Sequence, residues 1–144
     1  MAVSRSCYLH MDYWFDFKSD YVTKAMSKRD CYINAGVYTM DVRRYRDFKC
    51  QETIANLIVN HRKKRIWKLG VHQSSFILGL DPHIQDLKES WNTLGLGWNT
   101  AIQQPRLQNG KILHWNGAKK PWRKKGLYKK YWEKYALVED HGRG

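Results

Sequence analysis

An α/β domain is the fold class the chain predicts, and three observations carry the prediction. Residues 31–40, Cys-Tyr-Ile-Asn-Ala-Gly-Val-Tyr-Thr-Met, hold the β-branched and aromatic content of a strand. Tyr45, Phe48, Ile54, Leu57 and Ile58 then fall on one face at helical spacing, which predicts a helix over about 43–61. Ile112 and Leu113 form an apolar run ahead of turn chemistry, which reads as the end of a buried strand opening into a loop.

The remaining elements follow in order. Residues 1–30 are aromatic and charged without clean periodicity, and read as a loop followed by a short helix near 20–26. Asn34-Ala35-Gly36 interrupts the first strand, and a glycine inside such a pattern predicts a bulge or a close backbone approach. Asp41 is placed to cap the helix that follows. Its far end meets the basic run 61–68. That run reads as a solvated helix terminus whose cations suit the negative end of the dipole, with a phosphate- or headgroup-binding patch as the alternative. Residues 71–80 predict a short buried helix closing at Gly79, and Asp81-Pro82 a turn. Residues 86–98 predict a strand and then a Gly-Leu-Gly loop, and 103–109, with Pro105, a surface connection. Asn109-Gly110 turns into the strand at Ile112, and the cationic stretch after Trp122 predicts a terminal helix with Tyr128, Tyr131 and Trp132 facing inward. No repeat or low-complexity linker divides the chain, so it reads as one domain or one part of a domain.

A length of 144 residues with 42% hydrophobic and 14% aromatic content is enough for a modest core and argues against disorder. The formal charge of +13 points to polyanionic partners, among them nucleotide diphosphates, nucleic acid and anionic membrane surfaces. The sequence shows no signal peptide, no bilayer-spanning stretch and no Asn-x-Ser/Thr sequon. Cys7, Cys31 and Cys50 make no Cys-x-x-Cys pair, which argues against a zinc site. Three reduced, partly buried thiols are expected, with one disulfide left open for an oxidising compartment.

The chemistry concentrates in His114-Trp115-Asn116-Gly117-Ala118-Lys119-Lys120-Pro121-Trp122. A neutral imidazole ligates borderline divalent cations, and glycine lets backbone approach a bulky anion. Lysine is a point charge on phosphate. These parts suit a metal-diphosphate ligand. The alternative is structural: a hydrogen-bonded strand-end histidine, two core indoles and a solvated lysine edge.

The spacing His-x-x-Gly-x-x-Lys-Pro-Trp, here His114, Gly117, Lys120, Pro121 and Trp122, resembles the C-terminal signature of family 8 glycosyltransferases. The fuller run from Ile112, with Tyr131-Trp132-Glu133-Lys134 behind it, is most similar to the animal glycosyltransferase 8 domain-containing proteins. Tyr32-Ile33-Asn34-Ala35-Gly36-Val37 resembles the family's Phe-Asn-Ala-Gly-Val strand, and Trp91-Asn92-Thr93-Leu94-Gly95-Leu96-Gly97 its Trp-Asn-x-x-Gly-Leu-Gly segment. His72-Gln73 stands where many members carry Asp-Gln. The likeness covers about residues 12–135.

The resemblance implies the C-terminal portion of a GT-A fold, a mixed sheet flanked by helices, with residues 1–144 forming part of a catalytic domain. It implies retaining transfer from a nucleotide-sugar donor, usually a UDP-sugar, to a glycan or other hydroxyl acceptor. Gln73 would lie beside the anomeric carbon, with Asn34, Ala35 and Gly36 around the sugar. Gly117 and Lys120 would face the leaving diphosphate, and His114 would ligate Mn²⁺. The family completes its metal site with an Asp-x-Asp pair on a preceding nucleotide-binding half. No Asp-x-Asp occurs in this sequence, so this chain alone is expected to be inactive. A Golgi location for the intact parent is implied in the same way. The competing class is a basic, aromatic-rich nucleic-acid binder using 62–68 and 119–130 on phosphates with Trp115, Tyr128 or Trp132 as stacking platforms. It gives no reason for the ordered glycine and proline spacing. A third reading is a non-catalytic relative kept for binding.

Overall fold

A computed structural model of the chain describes residues 1–136. The chain divides into two compact units, the first Met1–Glu89 and the second starting at Ser90. Among the described residues no helix is long and apolar enough to cross a membrane.

The first unit is built on a mixed three-stranded sheet. Ala2–His10 (β1) lies between Cys31–Thr39 (β2), to which it is antiparallel, and Gln85–Leu87 (β3), to which it is parallel. The expected strand over 31–40 is therefore present, whereas the loop expected at the start of the chain is the central strand. Being central, β1 buries both faces: Val3 and its neighbour Ser4 are each fully buried, and Ser6 is buried too. Serines at inward positions removed the apolar alternation by which a strand is recognised.

The helices pack on this sheet. Met11–Trp14 (α1) and Asp20–Thr23 (α2) follow β1, the second where a short helix was expected. The single helix expected over 43–61 is two, Val42–Asp47 (α3) and Cys50–Lys63 (α4). Asp41 caps α3 as expected, its carboxylate accepting from the Arg44 amide at 3.0 Å. The break falls at Lys49, in the left-handed region with φ +50°. No glycine or proline announces it; Phe48 is instead held outside, stacked on His83 at 4.1 Å, while Cys50 turns into the core.

α4 ends in the basic run. His61 Nδ1 accepts the Ile66 amide at 3.0 Å, and its ring stacks on Trp67 at 4.0 Å. Ile66 and Trp67 are both buried, so the run folds back into the core rather than continuing into solvent. Val71–Leu80 (α5) matches the expected buried helix, but Gly79 lies inside it instead of closing it. A Cβ at Gly79 would stand 2.6 Å from Ile54 Cγ1, so the glycine allows α4 and α5 to touch. Val3, Phe15, Ile33, Leu57, Trp67 and Ile77 lie at the centre of this unit's core.

The strand expected over 86–98 shrinks to β3, followed by a 3-10 turn at Glu89–Asn92. Leu94 and Leu96 are buried without strand pairing. In the second unit, the connection expected at 103–109 is a helix, Gln104–Asn109 (α6), with Pro105 in its first turn, where the missing N–H is harmless. Leu107 of α6 joins Leu96 and Ile102 in a small core completed by Leu113, Trp115, Tyr128 and Tyr131.

The signature strand is reduced to one parallel bridge, Thr93 to Leu113, with Ile112 38% exposed. The terminal helix expected after Trp122 is two 3-10 turns, Lys129–Tyr131 and Glu133–Tyr135. Tyr128 at φ +52° blocks a continuous helix. Its hydroxyl accepts from the Ile102 amide and donates to the Asn99 carbonyl, each at 2.9 Å; Tyr128 and Tyr131 pack on the small core as expected, whereas Trp132 lies against the exposed Trp122.

Candidate functional site

The sequence-derived site residues fall into two groups, one in each unit. Asn34, Ala35 and Gly36 lie in an irregularity of β2. The ladder steps from Val3↔Tyr38 to Arg5↔Ile33, so residues 34–37 stand opposite Ser4 alone. This is the bulge the glycine predicted, and it is closed by the Gly36 amide donating to Asn34 Oδ1 at 3.0 Å. The extra residues of the bulge leave the regular ladder here. Gln73, on the first turn of α5, donates its side-chain amide to the Ile33 carbonyl at 3.3 Å, holding it beside the bulge. The neighbouring His72 is exposed and its ring lies parallel to that of Phe76, 6.2 Å away.

A second register shift lies between Ser6 and His10, and Cys7 within it is disulfide-bonded to Cys31. The expectation of three reduced thiols is thus corrected: Cys50 alone is free, and it is buried. The sequence could not reveal this, because cysteines 24 positions apart become neighbours only once β1 pairs with β2.

In the second unit two stretches are laced together. The Thr93 amide donates to the Ile112 carbonyl at 2.9 Å and the His114 amide to the Thr93 carbonyl at 3.0 Å. Asn116 Oδ1 accepts the Gly95 amide at 2.6 Å, and the Lys119 amide donates to the Gly97 carbonyl at 2.8 Å. The backbones meet at their glycines. A Cβ on Gly97 would lie 2.3 Å from the Asn116 carbonyl oxygen, and one on Gly117, at φ +103°, would lie 2.9 Å from that of Gly97. The two glycine-bearing segments therefore form one platform.

On that platform His114 is half-buried, with Nδ1 2.9 Å from Oδ1 of the buried Asn92. An amide oxygen only accepts, so Nδ1 carries the proton and Nε2 is left as the basic nitrogen. Burial first, and then the nearby Lys120 ammonium, hold the imidazole pKa below the ordinary histidine value. A neutral ring with one oriented nitrogen is the form that binds metal or accepts a proton. Lys120 Nζ donates to the Trp115 carbonyl at 2.5 Å, which leaves two of its three donors for an anion. Trp115 is pinned in turn, its indole N–H donating to the Leu127 carbonyl at 2.9 Å.

The described residues do not by themselves fit a Mn²⁺ site. His114 is one nitrogen ligand, and among the described residues no three His, Cys, Asp or Glu side chains converge on a common point. Mn²⁺ prefers several oxygen ligands.

The glycosyl transferase family 8 model matches residues 2–126. The chain belongs to that family. Among the family 8 relatives, probable galacturonosyltransferase 13 of Arabidopsis thaliana is 27% identical over 126 residues, covering 85% of this chain and 24% of the relative. Probable galacturonosyltransferase-like 10 of the same plant is 33% identical over 119 residues, with 80% and 32% covered. Probable galacturonosyltransferase-like 4 is 31% identical over 149 residues, with 95% and 42% covered. The chain thus spans about a quarter to two fifths of the length of these curated relatives. No solved structure matches it. The α/β class and mixed sheet implied by the resemblance are borne out.

Asn92 and Asn116 stand in the sequence motifs without an assigned role. Asn92 sets the tautomer of His114, and Asn116 bonds one glycine segment to the other. Asn116 lies next to Gly117 in the sequence, but the partners of Asn92 and Asn116 are 22 and 21 positions away.

Proposed function

We propose that this chain is part of the catalytic domain of a retaining glycosyltransferase that moves a sugar from a nucleotide-diphosphate donor, a UDP-sugar, to a hydroxyl of a glycan. The observation that carries the reading is the unit formed by Asn92, His114, Gly117 and Lys120. It joins a tautomer-fixed imidazole and an ammonium on one loop whose backbone is held close by paired glycines. As the bond to the sugar breaks, negative charge grows on the departing diphosphate. Lys120 and the Gly117 backbone stabilise that charge through donors already in place. Gln73, with Asn34, Ala35 and Gly36, positions the sugar, and orientation removes much of the barrier in such reactions. His114 contributes one ligand to a Mn²⁺ site whose carboxylates lie outside these residues.

Residues 1–144 are, on this reading, the C-terminal part of a GT-A domain in a longer protein, and the isolated chain does not turn over. The similarity to probable galacturonosyltransferases supports an acidic sugar as one candidate donor. The Cys7–Cys31 disulfide supports an oxidising secretory compartment such as the Golgi lumen.

Calorimetric titration of the full-length protein with UDP and UMP in the presence of Mn²⁺ tests the proposal. UDP binds more tightly than UMP, and Lys120→Gln abolishes most of that difference, about tenfold for one charge-assisted contact. Equal affinity for UDP and UMP, or an unchanged ratio in the variant, removes Lys120 from the diphosphate site.

A further inference from the structure

The second unit carries a cleft that the donor reading does not use. It encloses about 470 Å³ and is walled by Trp115, Tyr131, Trp132 and Tyr135, with Lys111 and Lys134 among its lining residues. That volume falls in the range of about 300–1,000 Å³ usual for small-ligand sites. Lys111, Lys134 and Tyr135 are exposed.

Two features decide what the cleft fits. The first is charge: the second unit, from Ser90 to the end of the chain, contains eleven lysines and arginines against three carboxylates, Glu133, Glu139 and Asp140. A cleft in so cationic a field concentrates anions and repels cations. The second is shape: flat indole and phenol rings present apolar faces whose negative centres attract the polarised C–H face of a sugar ring. An apolar small molecule would need no lysines, and a bare inorganic anion no aromatic wall. The combination calls for a ligand with ring faces and regularly spaced negative groups.

We infer that this cleft binds an anionic oligosaccharide, carboxylated or sulfated, with its rings against Trp115 and Trp132 and its charges on Lys111 and Lys134, the Lys134 ammonium being held over the Tyr135 ring at 4.8 Å. Trp115 gives the site its meaning. Its indole lines the cleft while its carbonyl anchors the Lys120 ammonium, so the glycan lies one residue from the proposed diphosphate site. The inference deepens the glycosyl-transfer reading by naming the acceptor class, and it rests on that reading only for the word acceptor.

The test needs neither nucleotide nor turnover, so its failure is separable from failure of the donor assignment. The intact 144-residue chain is titrated by calorimetry with an oligogalacturonide, a heparin-derived oligosaccharide, a neutral cello-oligosaccharide and single-stranded DNA, all matched in length. At least one anionic oligosaccharide saturates one site, and the neutral one binds at least about tenfold more weakly. Trp132→Ala weakens binding about tenfold. The exposed pair Lys111→Gln with Lys134→Gln does the same without touching the core, and circular dichroism verifies that both variants fold. Lys124→Gln with Lys125→Gln removes equal charge outside the cleft and changes affinity by no more than about twofold. Equal binding of the neutral sugar overturns the inference, as does equal loss from the Lys124 and Lys125 pair. Tighter binding of DNA with the same dependence on Trp132 overturns it in favour of a nucleic-acid platform.

Discussion

Replacing Gly97 by alanine tests whether the two glycine-bearing segments of the second unit are one object. The added Cβ would lie 2.3 Å from the Asn116 carbonyl oxygen, 2.9 Å from its carbon and 3.2 Å from the Gly117 carbonyl carbon. Every obstacle is backbone, so no rotamer change relieves it, and the segments have to part by roughly 1 Å to reach ordinary contact. That movement stretches the Lys119–Gly97 hydrogen bond of 2.8 Å and the Gly95–Asn116 bond of 2.6 Å. Overpacking costs about 1–3 kcal/mol, and an immovable obstacle puts Gly97→Ala near the top of that range. For a unit of this size, about 3 kcal/mol lowers the melting temperature by roughly 10 °C or more. Gly117→Ala strikes the same contact from the other side, so the double variant is expected to cost less than the sum of the singles. Differential scanning calorimetry supplies the midpoints, and hydrogen exchange at the Lys119 amide reports the local bond. A Gly97→Ala protein that melts within about 2 °C of the parent, with Lys119 equally protected, would refute the backbone contact.

Other consequences are as direct. Reduction of Cys7–Cys31, or Cys7→Ser with Cys31→Ser, removes a cross-link closing a loop of 24 positions and costs about 3 kcal/mol, read as a lower melting point of the first unit in dithiothreitol. His61 accepts two backbone amides on Nδ1, and burial followed by Arg65 lowers its pKa. The folded state then binds fewer protons than the unfolded one, so stability falls as pH drops below about 6.5 and levels off below the folded-state pKa. His61→Gln flattens this slope in denaturant melts across pH. Gly79→Ala gains about 1 kcal/mol of helix propensity but drives a Cβ to 2.6 Å from Ile54 Cγ1. A net loss of about 1 kcal/mol is expected in urea melts, and in an Ile54→Ala background the same alanine should instead stabilise by up to about 1 kcal/mol.

What the sequence made legible was local. β2, α5, the Asp41 cap and the bulge at Asn34-Ala35-Gly36 each declare themselves within a window of ten residues, through β-branching, helical spacing or a glycine. The central strand escaped because Ser4 and Ser6 occupy buried positions where an apolar side chain would have marked the pattern. The division of α3 from α4 escaped because a lysine, not a glycine, takes the left-handed conformation there. In the candidate site the signature named His114, Gly117 and Lys120, but not what holds them. The amide that fixes the imidazole, the glycine facing Gly117 and the partner of Cys7 all come from distant positions, and spacing along the chain carries no information about such pairings.

Seven hydrogen bonds among the described residues join residues 90–97 to 111–119, running from the Lys111 and Ile112 amides on the Ser90 carbonyl to the Lys119 amide on Gly97. The polypeptide connecting them passes through the exposed pair Gln103 and Gln104. A protease nick at that peptide severs the covalent path yet leaves the cross-links intact, so the two pieces should travel as one species until denatured. The imidazole and ammonium would keep their places in a molecule made of two chains.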